Sequence, residues 1–118
     1  MLKKIDHIGI AVHSIEQARV FYEQALGLHC ERIEDVPSQQ VRTAFFSLGE
    51  TKIELLEPLG EDGPVAKFLR QQGEGVHHIA YGCDDAAAHL KQAEQAGCRV
   101  INTTPIPGAG GKRVAFLH

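Results

Sequence analysis

The chain has 118 residues, 43% hydrophobic and 23% charged, with 12 Lys plus Arg against 15 Asp plus Glu and a formal net charge of −3. That mixture excludes a disordered or collagen-like chain, and the length supports one domain with a single core, not two. With no block of like charge, no nucleic-acid or membrane partner is expected.

Taken in chain order, Met1 to Val12 is too short and too interrupted by Asp6-His7 for a signal or a membrane span, so a cytoplasmic protein is expected. Within it, Ile5 to Val12 alternates and is rich in β-branched residues, which predicts a strand. Ser14 reads as the N-cap of a helix to about Leu26, with Ile15, Ala18, Phe21, Tyr22 and Ala25 as its apolar stripe and Gly27 as its stop. Strands are predicted near Leu28–Glu34, Val41–Ser47 and Lys52–Glu57, with Gly49-Glu50 as the turn between the last two. Gly60 to Gly63 is a loop, and Pro64 opens a short helix to about Gln72. His77 to Cys83 reads as a strand, and Asp84 or Asp85 caps a helix to about Ala96. Strands are then predicted near Arg99–Asn102 and Arg113–Leu117. Cys30, Cys83 and Cys98 lack Cys-x-x-Cys spacing and read as small buried apolar residues.

The second half repeats the first. A shift of 71 residues lays His7-Ile8 on His78-Ile79, Glu23-Gln24-Ala25 on Glu94-Gln95-Ala96, and Arg42, Ala44 and Phe45 on Arg113, Ala115 and Phe116. The expected architecture is α+β: two β-α-β-β-β modules, about 1–60 and 74–118, joined by a connector helix in about 61–73. They would form a curved mixed sheet with a metal-containing cleft. The counterpart of the Glu54 strand falls beyond His118, so the second module is expected to lack its last strand.

The chain holds seven histidines, and two of them, His7 and His78, occupy equivalent positions of the two modules. Glu54 interrupts the apolar run Ile53 to Leu56, and a carboxylate on a core-facing strand is costly unless positive charge meets it. Two imidazoles and a carboxylate suit a divalent cation such as Co, Mn, Ni or Zn. The plain alternative is that Glu54 faces solvent. Strand alternation sends His77 to the face opposite His78, in a packing or supporting role. His13, His29 and His89 read as solvated polar residues. The glycine-rich Pro107 to Lys112 stretch lacks nucleotide-loop spacing; it reads as a hairpin connection whose amides, with Lys112 and Arg113, could touch phosphate or carboxylate.

Asp6-His7-Ile8-Gly9-Ile10-Ala11-Val12, Glu50-Thr51-Lys52-Ile53-Glu54-Leu55-Leu56-Glu57-Pro58, Gly75-Val76-His77-His78-Ile79-Ala80-Tyr81 and the segment from Gly108 to His118 resemble the vicinal oxygen chelate superfamily and, within it, the methylmalonyl-CoA epimerases. The resemblance implies a metal held by His7, Glu54, His78 and a glutamate that would lie beyond His118 and also serve as an acid/base group. It places the other base before the third strand, where this chain has Ser38-Gln39-Gln40, so neither base is assigned. Gln39, Lys112 and Arg113 are left as candidates for substrate contact. The implied activity is interconversion of (R)- and (S)-methylmalonyl-CoA by 1,1-proton transfer through a metal-stabilised enolate, by a homodimer acting on an acyl-CoA. Alternatives on the same scaffold are a glyoxalase I-type isomerase and a non-enzymatic protein that sequesters a small molecule.

Overall fold

The computed structural model describes residues 1–108 and 111–118. Five strands, β1 (Leu2–Ala11), β2 (Cys30–Val36), β3 (Val41–Leu48), β4 (Thr51–Pro58) and β5 (Gly75–Cys83), form one mixed sheet in the order β2-β3-β4-β1-β5. β1 and β4 run parallel and the other neighbours antiparallel. The parallel pair is reached through a helical crossover, since no tight turn can join parallel strands.

Each face of the sheet is closed by a different helix. α1 (Ile15–Val20) starts at Ser14, whose Oγ accepts from the Gln17 N–H at 3.2 Å. Its Ile15 joins Val12, Ala44, Phe46 and Leu55 in one buried cluster, with Ala18 and Tyr22 packed against it. The single helix expected to Leu26 changes pitch at Phe21 and continues as a π-helical turn over Phe21–Ala25, where Leu26 N–H donates to the Phe21 carbonyl at 3.1 Å. α2 (Pro64–Gln72) has Pro at its first turn, where a missing N–H costs nothing. It presses Val65 and Leu69 onto Ala11, Val36, Val41 and Leu56 on the other face. By strand alternation that second face also carries His7 and Gly9 on β1, Glu54 on β4 and Thr43 and Phe45 on β3. α2 covers only its far end.

The second half is sparser. α3 (Ala86–Gln95) is capped by Asp85, whose Oδ1 accepts from Ala88 N–H at 3.1 Å, and Leu90 is its buried residue. The strand expected over Arg99–Asn102 reduces to one bridge between Val100 and Leu117. There the Phe116 N–H bonds the Asn102 side chain at 2.9 Å instead of a neighbouring backbone carbonyl. The strand expected over Arg113–Leu117 shrinks to β7 (Arg113–Val114), paired with β6 (Ile106–Pro107) in a separate two-stranded ribbon. Pro105 and Pro107 have no N–H to extend a ladder. The hairpin connection read from the glycine-rich stretch bridges these strands, with Gly108 N–H donating to Lys112 O at 2.8 Å; its Ala109 and Gly110 lie outside the described residues.

Candidate metal centre

β1 and β5 pair so that the two strands exchange equivalent residues. Ile8 faces Ile79, His7 faces Ala80 and Gly9 faces His78, while a shift of 71 carries His7 to His78, Ile8 to Ile79 and Gly9 to Ala80. The pairing therefore reads alike from either strand, with the Ile8/Ile79 pair at its centre. His7 and His78 become diagonal cross-strand neighbours, and their Nε2 atoms stand 3.0 Å apart. Glu54 enters through the parallel β1/β4 register, where it lies beside Gly9. Phe45, Glu54, Gly9 and His78 thus form one row across β3, β4, β1 and β5.

Each histidine is preceded by a residue that breaks the ladder. Between the Ile5/Tyr81 and His7/Ala80 pairs β1 carries an extra residue, Asp6; between Gly9/His78 and Ile10/Val76 β5 carries an extra residue, His77. Such bulges rotate the strand by one position, so neighbours in sequence can share a face. His77 therefore does not point away from His78, as simple alternation predicts. Its Nδ1 lies 2.9 Å from His78 Nδ1, and its ring meets Phe68 of α2 edge-on at 5.0 Å. Val76, Ile79 and Tyr81 are the residues left exposed. Asp6 does likewise in the first module, with Oδ2 2.8 Å from His7 Nδ1.

The result is a continuous polar chain: Asp6 and Glu54 at His7 Nδ1 (2.8 and 3.1 Å), His7 Nε2 at His78 Nε2, and His78 Nδ1 at His77 Nδ1. Glu54 is 5% exposed. Burial holds its carboxyl above the usual carboxylate range, with His7 countering and Asp6 adding to the effect. Burial also acts to raise Asp6, but its bonds to His7 and to Lys112 prevail and hold it low. Burial, then the neighbouring His7 and His77, push His78 down to about 4, and burial lowers His77. His77 and His78 are accordingly neutral near pH 7 and can offer lone pairs.

This donor set fits a divalent cation. His7 Nε2 and His78 Nε2 present two nitrogen donors 3.0 Å apart. Asp6, His7 and Glu54 offer donor atoms within 4.8 Å of one another. The carboxylates lie at one ring nitrogen of His7 and His78 at the other, so His7 is the hinge of the set. A buried carboxylate met chiefly by imidazole leaves room for added positive charge.

The other sequence candidates are dispersed. Lys112 Nζ reaches Asp6 Oδ1 at 3.0 Å and so stands at the rim of the site. Arg113 Nη2 instead donates to the Pro105 carbonyl at 2.9 Å, within its own ribbon. Gln39 sits in the 3-10 turn Pro37–Gln39, beyond the end of β3 that faces Pro58, four strand residues from the Phe45/Glu54 pair. Sequence periodicity does not mark Asp6, Gly9 and His77 as site residues; the signal that could is that 71 also separates Asp6 from His77.

A family model of the Glyoxalase/Bleomycin resistance protein/Dioxygenase superfamily matches residues 6–116, and the chain belongs to that superfamily. Among its relatives, a protein of Cereibacter sphaeroides named ethylmalonyl-CoA/methylmalonyl-CoA epimerase is 41% identical, over 100% of this chain and 90% of the relative. The mitochondrial methylmalonyl-CoA epimerase of Homo sapiens is 37% identical, over 99% of this chain and 67% of the relative. A solved structure of methylmalonyl-CoA epimerase in complex with methylmalonyl-CoA and NH4+ superposes with a TM-score of 0.96 at 39% identity, covering 100% of this chain and 86% of that one.

Proposed function

We propose that the chain is a metal-dependent epimerase that interconverts (R)- and (S)-methylmalonyl-CoA. The single observation that carries this is the junction of His7, His78 and Glu54 on one sheet face, in a chain 41% identical to an epimerase of that name. His7, His78 and Glu54 would hold the cation. When bound, it supplies positive charge against the oxyanion that develops as the α-proton leaves a thioester.

The chain's own residues set the conditions for that chemistry. Asp6 accepts a hydrogen bond from His7 Nδ1–H, which leaves the Nε2 lone pair free on the side of His78. The β-sheet floor keeps these groups on rigid strands, and α2 closes one end through Phe68 against His77. Lys112, half-exposed beside Asp6, would meet the substrate's free carboxylate. Inversion at the α-carbon needs proton transfer on both faces, which separates an epimerase from a protein that only sequesters its ligand.

The reading includes one domain of two modules, a homodimer and a cytoplasmic location. The apolar side chains of Ile79 and Tyr81 exposed on β5 support a second copy, and sedimentation equilibrium checks it. No helix among the described residues is long and apolar enough to cross a membrane. The activity is tested by incubating the protein with methylmalonyl-CoA in D2O with Co²⁺, Mn²⁺, Ni²⁺ or Zn²⁺ supplied in turn. Deuterium at the α-carbon together with loss of optical purity is expected; no exchange with any ion would overturn the proposal.

A further inference from the structure

We infer that His77 and Gly9 are the positioning residues of His78, His77 by fixing which nitrogen of its ring carries the proton and Gly9 by making room for the ring. The inference rests on the metal reading above and extends it to residues that hold no cation themselves.

Symmetry supplies the first line of support. Asp6 and His77 stand 71 residues apart, each is the extra residue of a bulge, and each places a polar atom on the Nδ1 of the following histidine. A neutral imidazole has one N–H and one lone pair. With the Nε2 lone pair of His78 committed to a cation, its proton sits on Nδ1, and the acceptor within reach is His77 Nδ1 at 2.9 Å. His77 then carries its own proton on Nε2. In the metal-free chain a neutral His7 with its proton on Nδ1 toward Asp6 accepts at Nε2, so the same bond would run the other way, from His77 Nδ1–H to His78 and from His78 Nε2–H to His7. Phe68, edge-on to the His77 ring, holds that ring in place for either direction.

Gly9 supplies the second. A Cβ built on it would lie 2.4 Å from His78 Cε1 and 2.8 Å from both ring nitrogens, nearer than any side chain tolerates. Its backbone is not in the left-handed region, so the requirement for glycine comes from the imidazole and not from the chain's own conformation. The equivalent position on β5 is Ala80, opposite His7. The two histidines are therefore seated differently, and His78 is the one laid over the strand.

Zn²⁺ binding by calorimetry, thermal melting of the metal-free protein and ¹⁵N resonances of the His78 ring test both roles in G9A, H77F, H77N, H78A and G9A/H78A. H77F should weaken Zn²⁺ by about 10–100-fold and shift the Nδ1 resonance of zinc-loaded His78, whose N–H then has lost its acceptor. H77N, which keeps an acceptor where Nδ1 was, should remain within about threefold of the parent. G9A should weaken Zn²⁺ by about 10–100-fold and lower Tm by about 5 °C, a loss that disappears in the H78A background. Parental Zn²⁺ affinity in H77F, or an equal Tm loss from G9A with and without His78, overturns the corresponding role. If the parent binds no Zn²⁺, the metal reading fails separately. Gly9 is then judged by the melting cycle alone, and His77 by whether H77F changes the metal-free His78 resonances.

Discussion

The two halves of the chain share a sequence pattern but not a degree of consolidation. In the first, α1 and α2 close opposite faces of a four-stranded unit, and nearly all buried apolar residues fall between Ala11 and Leu69. In the second, only β5 joins the sheet, β6 and β7 pair with each other, and Leu90 is the one buried apolar residue among those described. A repeated pattern specifies local elements, whereas consolidation depends on how many layers each element is packed between. The candidate site lies on the seam, with His7 and Glu54 from the consolidated half and His78 from the other.

The largest test of the contrast is a paired truncation. Phe46→Ala, at a fully buried position on β3, should cost about 3–5 kcal/mol, and Leu90→Ala on α3 less than about 2 kcal/mol, by urea denaturation. Equal losses would erase the distinction between the halves. Next in size is the seam itself. Zn²⁺ at about 100 times its Kd should stabilise the protein by about 2.7 kcal/mol and slow amide exchange in β5 more than in β3, since it ties the looser half to the firmer one. In Glu54→Gln most of that gain should vanish, while the metal-free protein should melt no lower than its parent because a buried charge has been removed. A parental response to Zn²⁺ in this variant would exclude Glu54 as a ligand.

The smallest effect concerns the equivalent helix caps, Ser14 and Asp85. Ser14→Ala should lower global stability by about 1 kcal/mol. Asp85→Ala should instead speed exchange within α3 while leaving the global midpoint nearly unchanged, because a lightly packed helix opens locally before the whole molecule unfolds. A global loss as large as that from Ser14→Ala would show that α3 is as tightly coupled as α1.

Elements governed by short-range chemistry were legible. The caps at Ser14 and Asp85, the Pro64 start and the long alternating strands follow from propensity and periodicity, which need no knowledge of neighbours. His7, His78 and Glu54 emerged because duplication and an acid in an apolar run are visible in one dimension. Asp6, Gly9 and His77 were not recognised because a bulge changes the face of a residue without leaving a mark in the alternation around it.

The sequence by itself determined a duplicated α+β chain and the residue types available to a cation. Only the tertiary structure decided that β1 and β5 pair about Ile8 and Ile79, which brings residues 71 apart to 3.0 Å. It also decided that both bulges turn their extra residue toward the histidine that follows. The physical reason is that register is a property of two strands together: a shift of one position would send every side chain of β5 to the other face, and the histidines would never meet.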